Sequence, residues 1–377
     1  MLELADIVRD AGPAYVQTHA GRILPSHCRA LHDIAACRTP VLGGSLYRCD
    51  DCGTLDYAYH SCRNRHCPTC QEERAQAWLQ RTQARLLPCD HYLLTFTLPQ
   101  QLRATARAHQ KIVYAALLRE AAAAIQTLAH DRQWVGGTLG IMAVLHTWTR
   151  TLEYHPHAHL LVTAGGLSPD GAAWVAPAKP RFLVPGYMLS AIFRAKMRDA
   201  FARAGLATGI ASAVWTQRWT VHVEQIGSGE HATQYLSRYI YRVALTNHAL
   251  ERFADGRVTF RYTHARTHET RRQTLPVQTF LARFLQHVLP RGFTKVRYYG
   301  LLSPTGRADL ARARSLLERH AALRARPTAT ATDSASGVEL GVVAVVVQVP
   351  AARHCPACGR GALRLVERYP RSRAPPA

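Results

Sequence analysis

The apolar positions of residues 1 to about 40 recur at helical spacing, with Pro13 and Pro25 as breaks. A cysteine-rich stretch occupies about 45 to 72, and Gln71 to Leu87 then predicts a helix rich in Arg and Gln that stops at Pro88. Tyr92 to Leu98 has β-forming composition and ends at Pro99, and alanine-rich Leu102 to Leu128 predicts a helix. Two strands are expected at about Gly140 to Trp148 and His157 to Thr163, joined by a polar turn, and Ser168-Pro169-Asp170-Gly171 carries turn chemistry. An amphipathic helix with Arg194, Lys196 and Arg198 is predicted over Tyr187 to Ala204, and a strand over Trp219 to Gln225. Gly227-Ser228-Gly229 breaks that strand before a helix from about His231 to Thr246. Val258 to Tyr262 predicts a strand, Val277 to Leu289 a helix, and Pro327 to Gly337 an Ala/Thr/Ser linker. Strands and helices mix without a strict βαβ rhythm, which predicts an α+β fold. The pattern divides the chain into a helical and cysteine-rich module at 1–88, a larger domain at 89–318, and a linker with a tail at 319–377.

Charge narrows the function. Lys plus Arg number 47 against 25 for Asp plus Glu, a formal net charge of +22. Only four of the cations are lysines (Lys111, Lys179, Lys196, Lys295), so planar guanidinium groups dominate, a bias that either a GC-rich genome or a partner rich in phosphates and stacked bases would produce. A small neutral metabolite gives no reason for such a charge; a polyanion does, and DNA binding that weakens steeply with salt is expected. Leu340 to Val349, the most continuous apolar run, is interrupted by Gln348 and falls short of the roughly 20 residues of a membrane span. Glu3 and Asp6 precede any apolar stretch, unlike a secretory signal, so a cytoplasmic, nucleoid-associated bacterial protein is the expectation.

Seven of the ten cysteines lie before residue 71. Cys49-Asp-Asp-Cys52 and Cys67-Pro-Thr-Cys70 are two CxxC knuckles close together, a spacing that predicts one tetrahedral structural Zn²⁺ held by Cys49, Cys52, Cys67 and Cys70. Gly53 permits the tight turn after the first pair. Cys37, Cys62, His60 and His66 either exchange into that site, build a second one, or belong to a buried thiol and a basic loop. Cys355-Pro-Ala-Cys358 near the C-terminus is half a knuckle that borrows its partners or binds nothing.

His155-Pro156-His157-Ala158-His159 precedes an apolar run. Alternate residues of a strand share a face, so His157 and His159 point the same way, about 6.5 Å apart along the chain, and suit one divalent ion. Further on, Tyr235 and Tyr239 lie at i and i+4 on one helical face, and Arg238 and Arg242 form a second such pair suited to DNA phosphates. Tyr241 falls on another face, as packing. A metal-polarised phosphate attacked by a tyrosine would release a 3′-hydroxyl and store the bond as phosphotyrosine. A second tyrosine one turn away would hold a second cut end.

This constellation resembles the HUH rolling-circle transposases of the insertion sequence 91 family, two-tyrosine enzymes with a zinc-binding N-terminus. Similar segments are Cys37-Arg38-Thr39, Tyr47-Arg48-Cys49, Ser61 to Gln71, His155 to Gly166, Ser168 to Gly171, Tyr235 to Asn247 and Phe284 to Gly300. The resemblance implies a central antiparallel sheet flanked by helices, His157 and His159 as metal ligands, and Tyr235 and Tyr239 as nucleophiles. It also implies Mg²⁺ or Mn²⁺ as catalytic cofactor and a 5′-phosphotyrosine intermediate on single-stranded DNA. Ala158 departs from the bulky apolar residue usual between the histidines. The third ligand is open among Glu224, His222 and His155, with Glu224 preferred on strand parity. A replication initiator or relaxase shares this chemistry, a non-catalytic zinc-dependent DNA-binding protein is the rival of another class, and a degenerate copy of a transposase is a third alternative.

Overall fold

A computed structural model describes residues 1–83, 85–227, 244–264, 267–325 and 354–371. Helix α1 (Leu4–Thr18) buries Leu4, Ile7, Val8, Ala11 and Tyr15, the stripe that helical spacing dictates, and the Asp6 carboxylate accepts the Glu3 amide at its start. Helix α2 (Pro25–Ala35) begins at Pro25, whose fixed φ suits a first turn. There follow β1 (Gly44–Cys49), β2 (Leu55–Tyr59), α3 (Pro68–Gln83), β3 (His91–Thr97), α4 (Arg103–Ala108) and α5 (Gln110–Ala129). Then come β4 (Thr138–Trp148), β5 (Tyr154–Leu167), β6 (Trp174–Val175), α6 (Gly186–Arg203), α7 (Ser212–Thr216) and β7 (Val221–Gly227). The rest comprises β8 (Leu250–Ala254), β9 (Arg257–Thr263), β10 (Thr270–Pro276), α8 (Val277–Leu285), β11 (Val296–Gly300), α9 (Arg307–Ala325) and β12 (Leu363–Tyr369). The helix expected from Leu102 is two helices, because His109 leaves the helical region at φ −120°, ψ 44°.

The fold is α+β, centred on an antiparallel sheet of order β11-β4-β5-β3-β7, with β6 paired to the end of β5. Alternation along β5 sends Ala158, Leu160 and Val162 to one face, where they join Leu94, Phe96, Ala143 and Leu145 against α5 and α6. Helix α5 is long and apolar enough to cross a membrane, yet most of it is buried in this core. On the opposite face Met142, Val144 and Leu161 pack with Leu86 and Leu302. That apolar row gives way to histidines at the end of the sheet where β4 turns into β5. At the other end Gly165 (φ +124°) lets β6 approach; a Cβ there would lie 2.6 Å from the Val175 carbonyl oxygen.

Two smaller sheets complete the molecule. The sheet β10-β9-β8 supplies Val258, Phe260 and Leu275 to a core shared with α1, α2 and α8, so the N-terminal helices and residues after 244 pack together. The other has the order β12-β1-β2, which brings the far end of the chain onto the cysteine-rich module.

Candidate metal centres

The β4–β5 hairpin sets the first centre. Its register places His146 opposite His157 and Val144 opposite His159, so all three imidazoles emerge on one face. One ring nitrogen from each of His146, His157 and His159 lies within 4.8 Å of the other two. His157 Nδ1 is 2.7 Å from the His155 carbonyl, to which it donates, leaving Nε2 with its lone pair outward. His159 Nδ1 is 3.0 Å from the Thr95 hydroxyl on the neighbouring strand. Burial pushes His157 down to about 4 and His159 well below the ordinary imidazole value, so both rings are neutral donors at physiological pH.

Glu224, the third ligand expected from parity, is not at this centre. It pairs across β3 with Leu93, whose partner on β5 is Leu161, one step down the face from His159. Half exposed, it lies 3.8 Å from His222 instead. His222 is opposite Thr95, a strand away from His159, and His155 is held through Nδ1 by Arg103 at 2.6 Å. The third imidazole comes from β4, and its signal was a histidine in the strand joined to His157 by a short turn. Tyr235, Tyr239, Tyr241, Arg238 and Arg242 lie outside the described residues.

Beside the histidines is a cavity of about 370 Å³, lined by Arg65, Trp78, Trp148, Lys295, Phe293 and Ala244 among others. Trp148 stacks on His146 at 4.8 Å between ring centres, and the Lys295 ammonium sits 4.9 Å from the centre of the Trp148 ring. Burial lowers Lys295 to about 7, with the Arg65 charge adding to the effect. His287 closes the far wall, its ring bridging the Thr147 hydroxyl and the Leu152 carbonyl at 3.2 Å each. Burial brings His287 down to about 4 from 6.5. The unfolded chain therefore binds a proton between these values that the native state refuses, so stability is complete above 6.5 and is lost as pH falls toward 4. Thermal melts at about pH 7 and pH 5 are expected to show a drop, about 2 kcal/mol of it from this residue. His287→Asn, which keeps a donor and an acceptor, should flatten that dependence.

The cysteines form two centres rather than the single one expected. Cys37, Cys62, Cys67 and Cys70 make one cluster, and Cys49, Cys52, Cys355 and Cys358 another. The two knuckles separate because Cys49 ends β1 whereas Cys67 and Cys70 sit at the start of α3. In the first cluster the Cys37–Cys70 and Cys62–Cys70 sulfurs are 3.5 Å apart and Cys37–Cys67 3.7 Å. Hydrogen bonds from Cys37, Cys62 and Cys67 push the Cys70 thiol well below its ordinary range, toward the thiolate. His60 is occupied by Ser45 and Leu42, and His66 accepts the Leu289 amide at 3.3 Å, so neither joins a cluster. The segment between Cys62 and Cys67 is a tether rather than an exposed loop: Arg65 donates to the Pro290 carbonyl at 2.6 Å, and Asn64 to Asp33 at 2.9 Å.

The match to known proteins extends over the whole chain. A family model described as "Putative transposase" matches residues 140–309, which contain the histidine centre, and one described as "Transposase zinc-binding domain" matches residues 7–98. The chain is 35% identical to "Putative transposase y4qJ" of Sinorhizobium fredii, over 99% of its own length and 97% of that protein. It is 30% identical to "Transposase for insertion sequence element IS801" of Pseudomonas savastanoi pv. phaseolicola, over 71% and 68% of the two chains. No solved structure matches it.

Proposed function

The chain belongs to the insertion sequence 91 family of transposases, with a zinc-binding N-terminal domain, and from that premise we propose that it nicks single-stranded DNA at element ends and transfers the cut strand through phosphotyrosine. Family membership makes DNA the partner; the single-stranded, rolling-circle chemistry is our reading. The observation that carries it is the convergence of His146, His157 and His159 on one sheet face, beside an aromatic and basic cavity.

These three imidazoles would hold the catalytic ion, Mg²⁺ or Mn²⁺. Nitrogen donors match Mn²⁺ better than Mg²⁺, which prefers oxygen. When bound, the ion stabilises charge on a phosphate oxygen. Trp148 and Trp78 offer faces on which bases stack, Arg65 adds positive charge, and Lys295, lowered to about 7, adds charge in its protonated fraction. Ala244, two residues past Arg242, lines this cavity.

Tyr235 or Tyr239 then forms the new O–P bond as the bond to the 3′-oxygen breaks, and that oxygen leaves as a hydroxyl after taking a proton. The second tyrosine holds the other end, and Arg238 and Arg242 grip flanking phosphates. We assign residues 1–88 to the zinc-binding module, 89–318 to the catalytic domain and 319–377 to the tail, and place the protein on DNA in the bacterial cytoplasm.

Trapping the covalent intermediate tests the reading. Labelled single-stranded element ends incubated with the protein and Mn²⁺ should yield a protein–DNA adduct that maps to Tyr235 or Tyr239. The Tyr235→Phe/Tyr239→Phe double variant should yield none while still binding DNA. Undiminished adduct in that variant rejects the nucleophiles, and binding without any adduct in the parent favours a non-catalytic DNA-binding protein.

A further inference from the structure

The second cysteine cluster joins the two ends of the chain. Cys52 and Cys355 are 303 positions apart in sequence, yet their sulfurs are 3.7 Å apart; Cys49 and Cys358, 309 positions apart, are also at 3.7 Å. A disulfide needs about 2.05 Å. The edge of a tetrahedron with metal–sulfur bonds of about 2.3 Å is about 3.8 Å, which is the observed separation.

The backbone around these sulfurs is built twice over. Cys49-Asp-Asp-Cys52-Gly53 and Cys355-Pro-Ala-Cys358-Gly359 both end on a glycine in the left-handed region, at φ +71° and +70°. In each turn the glycine amide donates to the carbonyl of the first cysteine, at 3.1 and 2.8 Å. In each, the first cysteine's own amide closes the turn, on Thr54 at 2.9 Å and on Gly361 at 2.8 Å. An amide also points at a sulfur of each pair: Cys52 N to Cys49 Sγ at 3.5 Å, and Gly361 N to Cys358 Sγ at 3.4 Å. Gly361 passes so close that a Cβ there would come within 2.3 Å of Cys49 Sγ. Strand β12 pairs with the whole of β1, and the Asp50 carboxylate accepts the Ala362 amide at 2.7 Å.

We propose that Cys49, Cys52, Cys355 and Cys358 bind a second structural Zn²⁺, which clasps the C-terminal ribbon to the N-terminal module. The match to the zinc-binding domain ends at residue 98 and contains neither Cys355 nor Cys358. All four sulfurs lie within 4.8 Å of one another, and a set of four cysteines marks a structural site rather than a catalytic one. Paired twin knuckles with amides directed at sulfur are what a thiolate-bound ion requires and what four neutral thiols do not. The inference stands apart from the nicking reading, since neither the histidines nor the tyrosines enter it.

The full chain, purified without chelator, should contain two zinc atoms by elemental analysis. Cys355→Ser/Cys358→Ser should contain one and keep the alkylation protection of Cys37, Cys62, Cys67 and Cys70. One zinc in the parent, two in the double variant, or iron in place of zinc would each overturn the proposal. A second measurement covers a double variant that fails to fold. In the parent chain, Cys355 and Cys358 should resist iodoacetamide until a chelator is added, and then react together with Cys49 and Cys52. Reaction of Cys355 and Cys358 at an equal rate with and without chelator would also overturn it.

Discussion

Replacing His146 with alanine is expected to stop strand cleavage as fully as His157→Ala, while Glu224→Gln leaves the rate within about threefold of the parent. Altering a group that only orients a ligand costs about 10–100-fold. Removing one of three ligands should exceed that, because the two imidazoles left cannot fix the ion's geometry. Glu224 is half exposed and faces His222, so its charge is spent in solvent. DNA affinity should survive in all three variants, since it rests on arginine–phosphate contacts spread over a highly basic chain. Cleavage of labelled single strands, alongside binding by anisotropy and Mn²⁺ titration by calorimetry, separates the outcomes. Normal cleavage by His146→Ala together with an inactive Glu224→Gln would return the third ligand to β7.

That contrast marks the limit of what the sequence discloses. Parity along one strand is a local property, so His157 and His159 could be placed on a common face from spacing alone. His146 could not, because its position opposite His157 depends on the hairpin register, and a slip of one residue would send it to the other face. The register is fixed by the turn, where the Thr149 hydroxyl accepts the Glu153 amide at 3.1 Å and the Thr149 amide donates to the Glu153 carbonyl at 2.9 Å. Neither bond is announced by composition. The cysteines fail in a related way: nearness in sequence pairs Cys49/Cys52 with Cys67/Cys70, whereas the end of a strand and the start of a helix point them apart. Strand β10 leaves no periodic signal in the sequence because Thr270–Pro276 is almost wholly polar and exposed, with only Leu275 reaching the core. The helices α6 and α8, each with an apolar stripe, are legible to within a few residues, whereas α1 (Leu4–Thr18) runs through Pro13, where a break is expected, because the apolar stripe on either side of that exposed proline packs as one face.

Cys67→Ser should have the largest effect on stability, loss of one zinc together with unfolding of the N-terminal module. Cys67 is 1% exposed, and Cys37, Cys67 and Cys70 lie in the same core as Leu31, Ile34 and Phe284. Thiolates at that depth are tolerable only with a cation among them, since each alone carries a large desolvation cost. Zinc binding contributes about 10–16 kcal/mol in small zinc-folded peptides, as much as or more than the 5–15 kcal/mol that holds an ordinary domain together. Serine removes one ligand and leaves a hydroxyl that binds zinc poorly, so the three remaining sulfurs should release the ion. The lesion should spread, because Arg65 ties the same loop to the Pro290 carbonyl beside the histidine cavity. Zinc content and thermal melts of the variant decide the matter. Unchanged stoichiometry with a cooperative, parent-like melt would mean that Cys67 is not a ligand and that the packing of α1, α2 and α8 suffices without the ion.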